Sequence, residues 1–191
     1  MTQSNLLEVD WSKIPAPEDD GAAAHLVGLA IPPVSLRATN DTAVTLSELK
    51  GRVVVFGYPR TGEPGKIALV DDWDMIPGAR GCTPQTCAFR DLFAELKAAG
   101  ASHVFGLSTQ DNDYQTEMAS RLHLPFPVLS DQQLELTHAL DLPTMEVANL
   151  TMIKRLALVI DDAKITHVFY PVFPPDRNAG DVLAWLKANP V

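Results

Sequence analysis

Both cysteines of this chain, Cys82 and Cys87, fall within one short stretch, Pro77 to Cys87, which reads Pro-Gly-Ala-Arg-Gly-Cys-Thr-Pro-Gln-Thr-Cys. A thiol reacts as its thiolate, so a reactive cysteine needs surroundings that favour an anion. The sequence supplies them at Cys82. Downstream, Phe89, Leu92, Phe93 and Leu96 recur at helical spacing and Gly100 is a stop signal, which predicts a helix opening near Cys82. Free backbone N–H groups and the positive end of the helix dipole would then face the sulfur. Arg80 adds a positive charge two residues away. The same N–H groups would accommodate a peroxide or carboxylate oxygen, and Gly78 and Gly81 would let the backbone approach a small ligand closely.

Spacing separates the two thiols. Cys82 and Phe89 are seven residues apart and share a helix face, so Cys82 is expected on the core-side pocket. Cys87 is roughly 140° further round and about 7.5 Å along the axis. It is expected on the polar side, facing outward with Arg90 and Asp91. On a helix their Cα atoms would be roughly 8–9 Å apart, beyond the limit of about 7 Å for a disulfide. Joining them would require the first turn to melt. Thr83-Pro84 is compatible with that, because proline disfavours α geometry in the residue before it.

Other readings of the pair remain. Two small buried hydrophobes would do no chemistry. A zinc site would have to recruit distant ligands, since His25, His103, His123, His138 and His167 all lie outside the stretch. The C-x4-C spacing is not the C-x-x-C of a redox-active dithiol motif.

The elements around the pair follow from periodicity. Arg52 to Tyr58 is a β-branched and aromatic run suited to a strand buried on both faces, and Pro59 ends it. Residues 60–81 are irregular and rich in Gly and Pro, a length that usually carries function. Val104 to Ser108 reads as the next buried strand. Asn112-x-x-Gln115 resembles a capping box before a helix bearing Tyr114, Met118 and Leu122, and Ser130-x-x-Gln133 a second one opening a helix to about Leu140. Val44 to Gly51 reads as a short strand and turn, and any strand within Leu26 to Leu36 as short or at an edge. Lys154 to Ile160 and Ile165 to Tyr170 read as a hairpin, and Asn178 to Lys187 as the last helix. This order predicts an α/β sandwich with a central mixed sheet. Residues 1–26, polar and proline-containing, are expected to form an N-terminal extension over the surface of one domain, 27–191.

Composition narrows the partners. The net charge is −9 over 191 residues and the pI about 4.9, which argues against nucleic acid. No apolar run reaches membrane-spanning length. Met1 to Asp10 shows no secretory-signal pattern, so a cytoplasmic location is the default expectation.

Taken together, Phe56-Gly-Tyr-Pro59, Gly81-Cys-Thr-Pro-Gln-Thr-Cys87 with Phe89-Arg90, Gly106-Leu-Ser108, Leu129-Ser-Asp131 and Arg155-Leu-Ala-Leu-Val-Ile160 resemble the peroxiredoxins, and most of all their peroxiredoxin-Q, or bacterioferritin-comigratory-protein, class. The resemblance implies a thioredoxin-like fold with a central mixed β-sheet flanked by helices, and a thiol-dependent peroxidase that uses no cofactor or metal. It makes Cys82 the peroxidatic cysteine and Cys87 the resolving one, joined in an intramolecular disulfide that a thioredoxin-type or other dithiol reductant would reduce. Arg155 matches the family's active-site arginine; its alternative is a surface arginine flanking a strand. A monomer or weak homodimer is implied.

One departure stands out. The family pattern P-x-x-x-T-x-x-C has Ala79 at its Thr position and Met75 at its Pro position here, and the Tyr-Pro sits back at Pro59 behind an insertion of residues. The expectation is that Pro59 and Thr61 belong to the substrate pocket and that Thr61 folds back to supply the missing hydroxyl. Trp73, within the insertion, would roof the pocket or simply pack. Two alternative functions remain beside the peroxidase: a thiol–disulfide oxidoreductase acting on proteins, and a non-enzymatic redox-sensing or binding protein on a thioredoxin-like scaffold.

Overall fold

The computed structural model describes residues 9–191; the part of the expected extension in residues 1–8 lies outside them. Its sheet is built outward from the buried run Arg52–Gly57 (β3), every residue of which is buried. The seven-stranded order is β2-β1-β5-β4-β3-β8-β9, with β1 Ser35–Ala38, β2 Ala43–Thr45, β4 Ala101–Ser108, β5 Val128–Ser130, β8 Leu156–Asp161 and β9 Lys164–Phe169. β4 runs parallel to both β3 and β5. β8 pairs antiparallel with β3 and with β9, and β1 antiparallel with β5 and β2. The central mixed sheet is therefore as expected. β1, four residues long, is short as expected and lies one strand in from the edge. A separate hairpin, β6 Thr144–Val147 with β7 Leu150–Ile153, escaped the sequence reading; its turn residues, Ala148 and Asn149, both adopt positive φ.

Alternation along β3 divides the core. Val53 and Val55 point into one cluster, with Leu26, Leu36, Leu107, Leu136 and Leu158. Val54, Phe56 and, just beyond the strand, Tyr58 point into the other, with Cys82, Cys87, Phe89 and Leu186. On this second face lie α1 Cys82–Asp91, α2 Phe93–Ala98, α3 Asn112–Arg121 and α5 Asn178–Ala188, whereas α4 Glu135–Leu140 takes the first. Phe89 of α1 stacks on Phe56 with ring centroids 4.1 Å apart, an arrangement that adds about 0.5–1.5 kcal/mol to simple burial. That stack docks α1, and with it both thiols, near the carboxyl end of β3.

Local differences from the sequence reading have physical causes. The helix expected to run from Cys82 to Gly100 breaks at Leu92, which leaves helical geometry at φ −98°, ψ 10°. Asp111, not Asn112, caps α3, its carboxylate accepting the Tyr114 N–H. Asp131 plays the part expected of Ser130, accepting the N–H groups of Leu136 and Thr137. Of the expected surface arm, Ala23 and Leu26 are buried in the core, so its end is part of the domain packing.

Candidate active site

The chain leaves β3 at Gly57, crosses the irregular segment 60–81 and re-enters regular structure at Gly81, the N-cap of α1. Gly81 has φ 105°. A side chain there would be strained, and its Cβ would lie 2.6 Å from Pro175 and 2.7 Å from Trp11. This glycine delivers Cys82 to the first position of α1. No side chain caps the helix, so its first N–H groups remain available near the sulfur.

Arg155, on the connection between β7 and β8, reaches the same point from the sheet. It is 2% exposed, so it is not the strand-flanking surface residue of the alternative reading. Its Nη2 donates to Cys82 Sγ at 3.2 Å and to the carbonyl oxygens of Gly78, Ala79 and Arg80 at 3.1, 3.2 and 3.1 Å. Nη1 donates to Gln85 Oε1, and Gln85 Nε2 donates to Asn178 Oδ1 at 2.9 Å. One guanidinium thus ties the cysteine, the loop before it and the first turn of α1 together, and α5 holds that turn through Asn178. Positive charge and a helix N-terminus converge on one sulfur, which is the setting that makes a thiol nucleophilic.

Cys82 opens onto a cleft of about 290 Å³ whose walls include Thr61, Ile67, Trp73, Arg80 and Tyr114. Segment 60–81 is therefore one wall of the site, and Trp73 belongs to it. Thr61 is fully buried, and its hydroxyl donates to Gln110 Oε1 at 3.2 Å. Gln110 Oε1 also accepts the Thr61 N–H at 2.9 Å, and Tyr114 Oη donates to the Thr61 carbonyl at 3.0 Å. The Thr61 proton is thus committed, leaving oxygen lone pairs as what the hydroxyl can offer the cleft. Pro59 lies elsewhere: it borders a depression with Gln110, Gln132 and Asn149, and its carbonyl accepts Ser108 Oγ at 3.1 Å. The structure joins Arg155 to Cys82, sets Thr61 on the cleft that Cys82 also borders, and sets Pro59 on the neighbouring depression. At Ala79, where the family pattern has Thr, the backbone carbonyl accepts the Cys82 thiol at 3.5 Å.

Cys87 is buried too, contrary to the outward face expected of it. Seven of the ten residues of α1 are buried: α5 packs on the Gln85 side, where Gln85 bonds Asn178, while Cys87 sits in the apolar cluster that includes Met118 and Leu122, with Arg90 and Arg121 near its sulfur. Burial pushes the Cys87 thiol up from its ordinary value, against a smaller opposing effect of Arg90. Both thiols are free.

Three participants went unseen in the sequence reading. Gln85 stood inside the cysteine stretch without a role, and its position on the turn after Cys82 was the available signal. Asn178 looked like a helix start. Tyr58 closed a strand; its phenol is buried with no hydrogen-bond partner, and burial, then the neighbouring Cys82 charge, push its ionisation well above the usual phenol range.

A thioredoxin-like α/β scaffold presenting a cysteine at a helix N-terminus under a buried arginine defines a class of thiol proteins. A redoxin family model matches residues 26–183. Peroxiredoxin Q, chloroplastic, of Oryza sativa subsp. japonica is 33% identical over 163 residues, which is 84% of this chain and 66% of that protein's length. The crystal structure of peroxidoxin BcpB from Mycobacterium tuberculosis superimposes with a TM-score of 0.67 at 29% identity, covering 86% of this chain and 98% of that one. Xanthomonas campestris peroxiredoxin Q, at 23% identity and a TM-score of 0.65, covers 82% of this chain and 90% of that one and supports the fold. The chain belongs to the redoxin family, as a peroxiredoxin of the peroxiredoxin-Q type.

Proposed function

We propose that this protein is a thiol-dependent peroxidase working through an intramolecular disulfide. Cys82 Sγ, as thiolate, attacks the terminal oxygen of a hydroperoxide. The S–O bond forms as the O–O bond breaks, giving Cys82 sulfenic acid and an alkoxide or hydroxide that takes up a proton to leave as alcohol or water. The Cys87 thiolate then attacks the sulfur of the sulfenic acid, forming the Cys82–Cys87 disulfide as the S–O bond breaks, and the expelled hydroxide takes up a proton to leave as water. A dithiol reductant of thioredoxin type restores both thiols by exchange. Hydrogen peroxide or an organic hydroperoxide is the substrate, and a monomer or weak homodimer the working unit.

The observation that carries this reading is the hydrogen bond from the buried Arg155 to Cys82 Sγ, a residue that borders the cleft. An arginine so placed stabilises the thiolate and the negative charge that develops on the departing oxygen. For the second half of the cycle, support comes from the five-residue spacing, Pro84 in the first turn, and the short, separately terminated α1. Ala79 favours a second reading, a redox sensor that reacts slowly.

Rapid-mixing fluorescence separates them, because Trp11 and Trp73 both lie close to Cys82. The wild type should be oxidised by hydrogen peroxide at least a thousandfold faster than free cysteine. Cys82→Ser should abolish the signal. Cys87→Ser should keep the first oxidation within about twofold but lose turnover with a dithiol reductant. Oxidation of the wild type at the free-cysteine rate would favour the sensor.

A further inference from the structure

The N-terminal segment does more than lie on the surface. It touches the active-site frame at three points. The Trp11 ring stands over Gly81 beside Pro175, leaving no room for even a methyl group at the N-cap of α1. Its indole N–H donates to Asp176 Oδ2 at 3.0 Å, and its ring meets the edge of Phe173 at 6.0 Å. Further on, Pro17 lies against Gly78, whose carbonyl Arg155 holds. Last, the Asp20 carboxylate accepts Lys154 Nζ and Tyr170 Oη, each at 2.6 Å. Lys154 is the residue next to Arg155. The segment thus straps together the loop 78–81, the β7–β8 connection and the stretch 170–176.

Cys82 and Cys87 are both on α1, so their sulfurs meet only if the first turn unwinds. Unwinding swings the chain about Gly81, away from Arg155. Trp11 occupies the space over that pivot.

We propose that Trp11 is a positioning residue that latches the first turn of α1, and that its release sets how fast the Cys82 sulfenate reaches Cys87. This rests on the peroxidase reading given above. While the latch is closed, Cys82 stays under Arg155 in the cleft, ready for peroxide; while it is open, Cys82 can be resolved. A tighter latch prolongs the sulfenate, and a second peroxide can then oxidise it to sulfinic acid with loss of one more water or alcohol.

Hydrogen exchange followed by mass spectrometry on the reduced full-length protein reads the latch directly. Trp11→Ala should speed exchange in the peptide covering residues 82–87 by roughly tenfold, the effect of one aromatic contact and one hydrogen bond, with β3 and β8 unchanged. Asp176→Ala should act in the same direction and less. In peroxide titrations, Trp11→Ala should need several times more hydrogen peroxide for half of Cys82 to become sulfinic acid, while the first oxidation stays within about twofold. Unchanged exchange at 82–87, or exchange that rises equally throughout the sheet, overturns the latch. If exchange responds as expected but the wild type forms no Cys82–Cys87 disulfide, the latch on α1 stands and the resolving role of Cys87 falls.

Discussion

Cys82 and Cys87 share one helix and one apolar cluster, yet their surroundings differ in every respect that governs thiol chemistry. At Cys82 a helix terminus, a guanidinium and a solvent-facing cleft meet. Around Cys87 there is desolvation, with Arg90 and Asp91 opposing one another nearby. Five residues along a helix separate a sulfur that accepts a guanidinium hydrogen bond from one whose ionisation burial penalises. The division of labour between the thiols is therefore a property of what lies against each end of α1. It can be attacked from either end.

The largest effect is expected on the Cys82 side. Arg155→Met keeps a long side chain but removes the charge and every donor that reaches Cys82, Gly78, Ala79, Arg80 and Gln85. Loss of an electrostatic donor at a reacting centre costs about 10²–10³ in rate, so oxidation by hydrogen peroxide should fall by that factor. Arg155→Lys should recover only a small part, because a point charge cannot span the sulfur and the carbonyls as the planar fork does. A rate within tenfold of wild type in Arg155→Met would erase the contrast between the two thiols.

A smaller effect tests what replaces the family's threonine. Thr61 borders the cleft, fully buried, with its hydroxyl proton given to Gln110. In that state it can accept a hydrogen bond from a hydroperoxide but has none to give a thiolate. Thr61→Val should therefore slow oxidation about fivefold, the scale of one net hydrogen bond, and leave the fold intact because the Thr61 N–H still reaches Gln110. An unchanged rate in competition with a reference thiol would mean that the cleft works without any hydroxyl at this position.

These two residues also show what was legible from sequence. The β-branched run of β3, the hairpin of β8 and β9, the last helix and the mixed sheet could all be read, since each rests on a period that burial imposes on residue type. Arg155 was found through motif resemblance alone; nothing local in Lys154-Arg155-Leu156 announces a guanidinium turned inward across the sheet. The burial of Cys87 was misread because periodicity places residues on faces of one helix and is silent about a second layer. Here α3 supplies it: Met118 and Leu122 share the apolar cluster of Cys87, and Arg90 of α1 donates to the Leu122 carbonyl. Pro59 was taken from the family pattern; it borders the depression that Gln110 lines, whereas Thr61 borders the cleft beside Cys82. The role of Trp11 depends on contacts with residues that lie far away in the chain.

The last test belongs to Cys87 and to pH. Burial holds its thiol neutral in the closed helix, with an ionisation raised above the ordinary value, and opening returns it toward about 8.5. A group whose value is raised in the closed state stabilises that state fully below the ordinary value, and the stabilisation is lost as pH rises through the raised one. The reactive species, open helix with Cys87 thiolate, thus gains on the closed neutral form by up to tenfold per pH unit. It goes on gaining above 8.5, where the thiolate fraction of an unburied thiol has begun to level off. After a pulse of peroxide, the rate of disulfide formation should still climb about threefold between pH 8.5 and 9, followed by the second fluorescence phase or by acid quenching and mass spectrometry. The Tyr58 phenol does not intrude, because burial moves its ionisation well above this window. A resolution rate that levels off near pH 8.5 would show that Cys87 attacks from an already solvated position, and the two ends of α1 would then differ less than the packing implies.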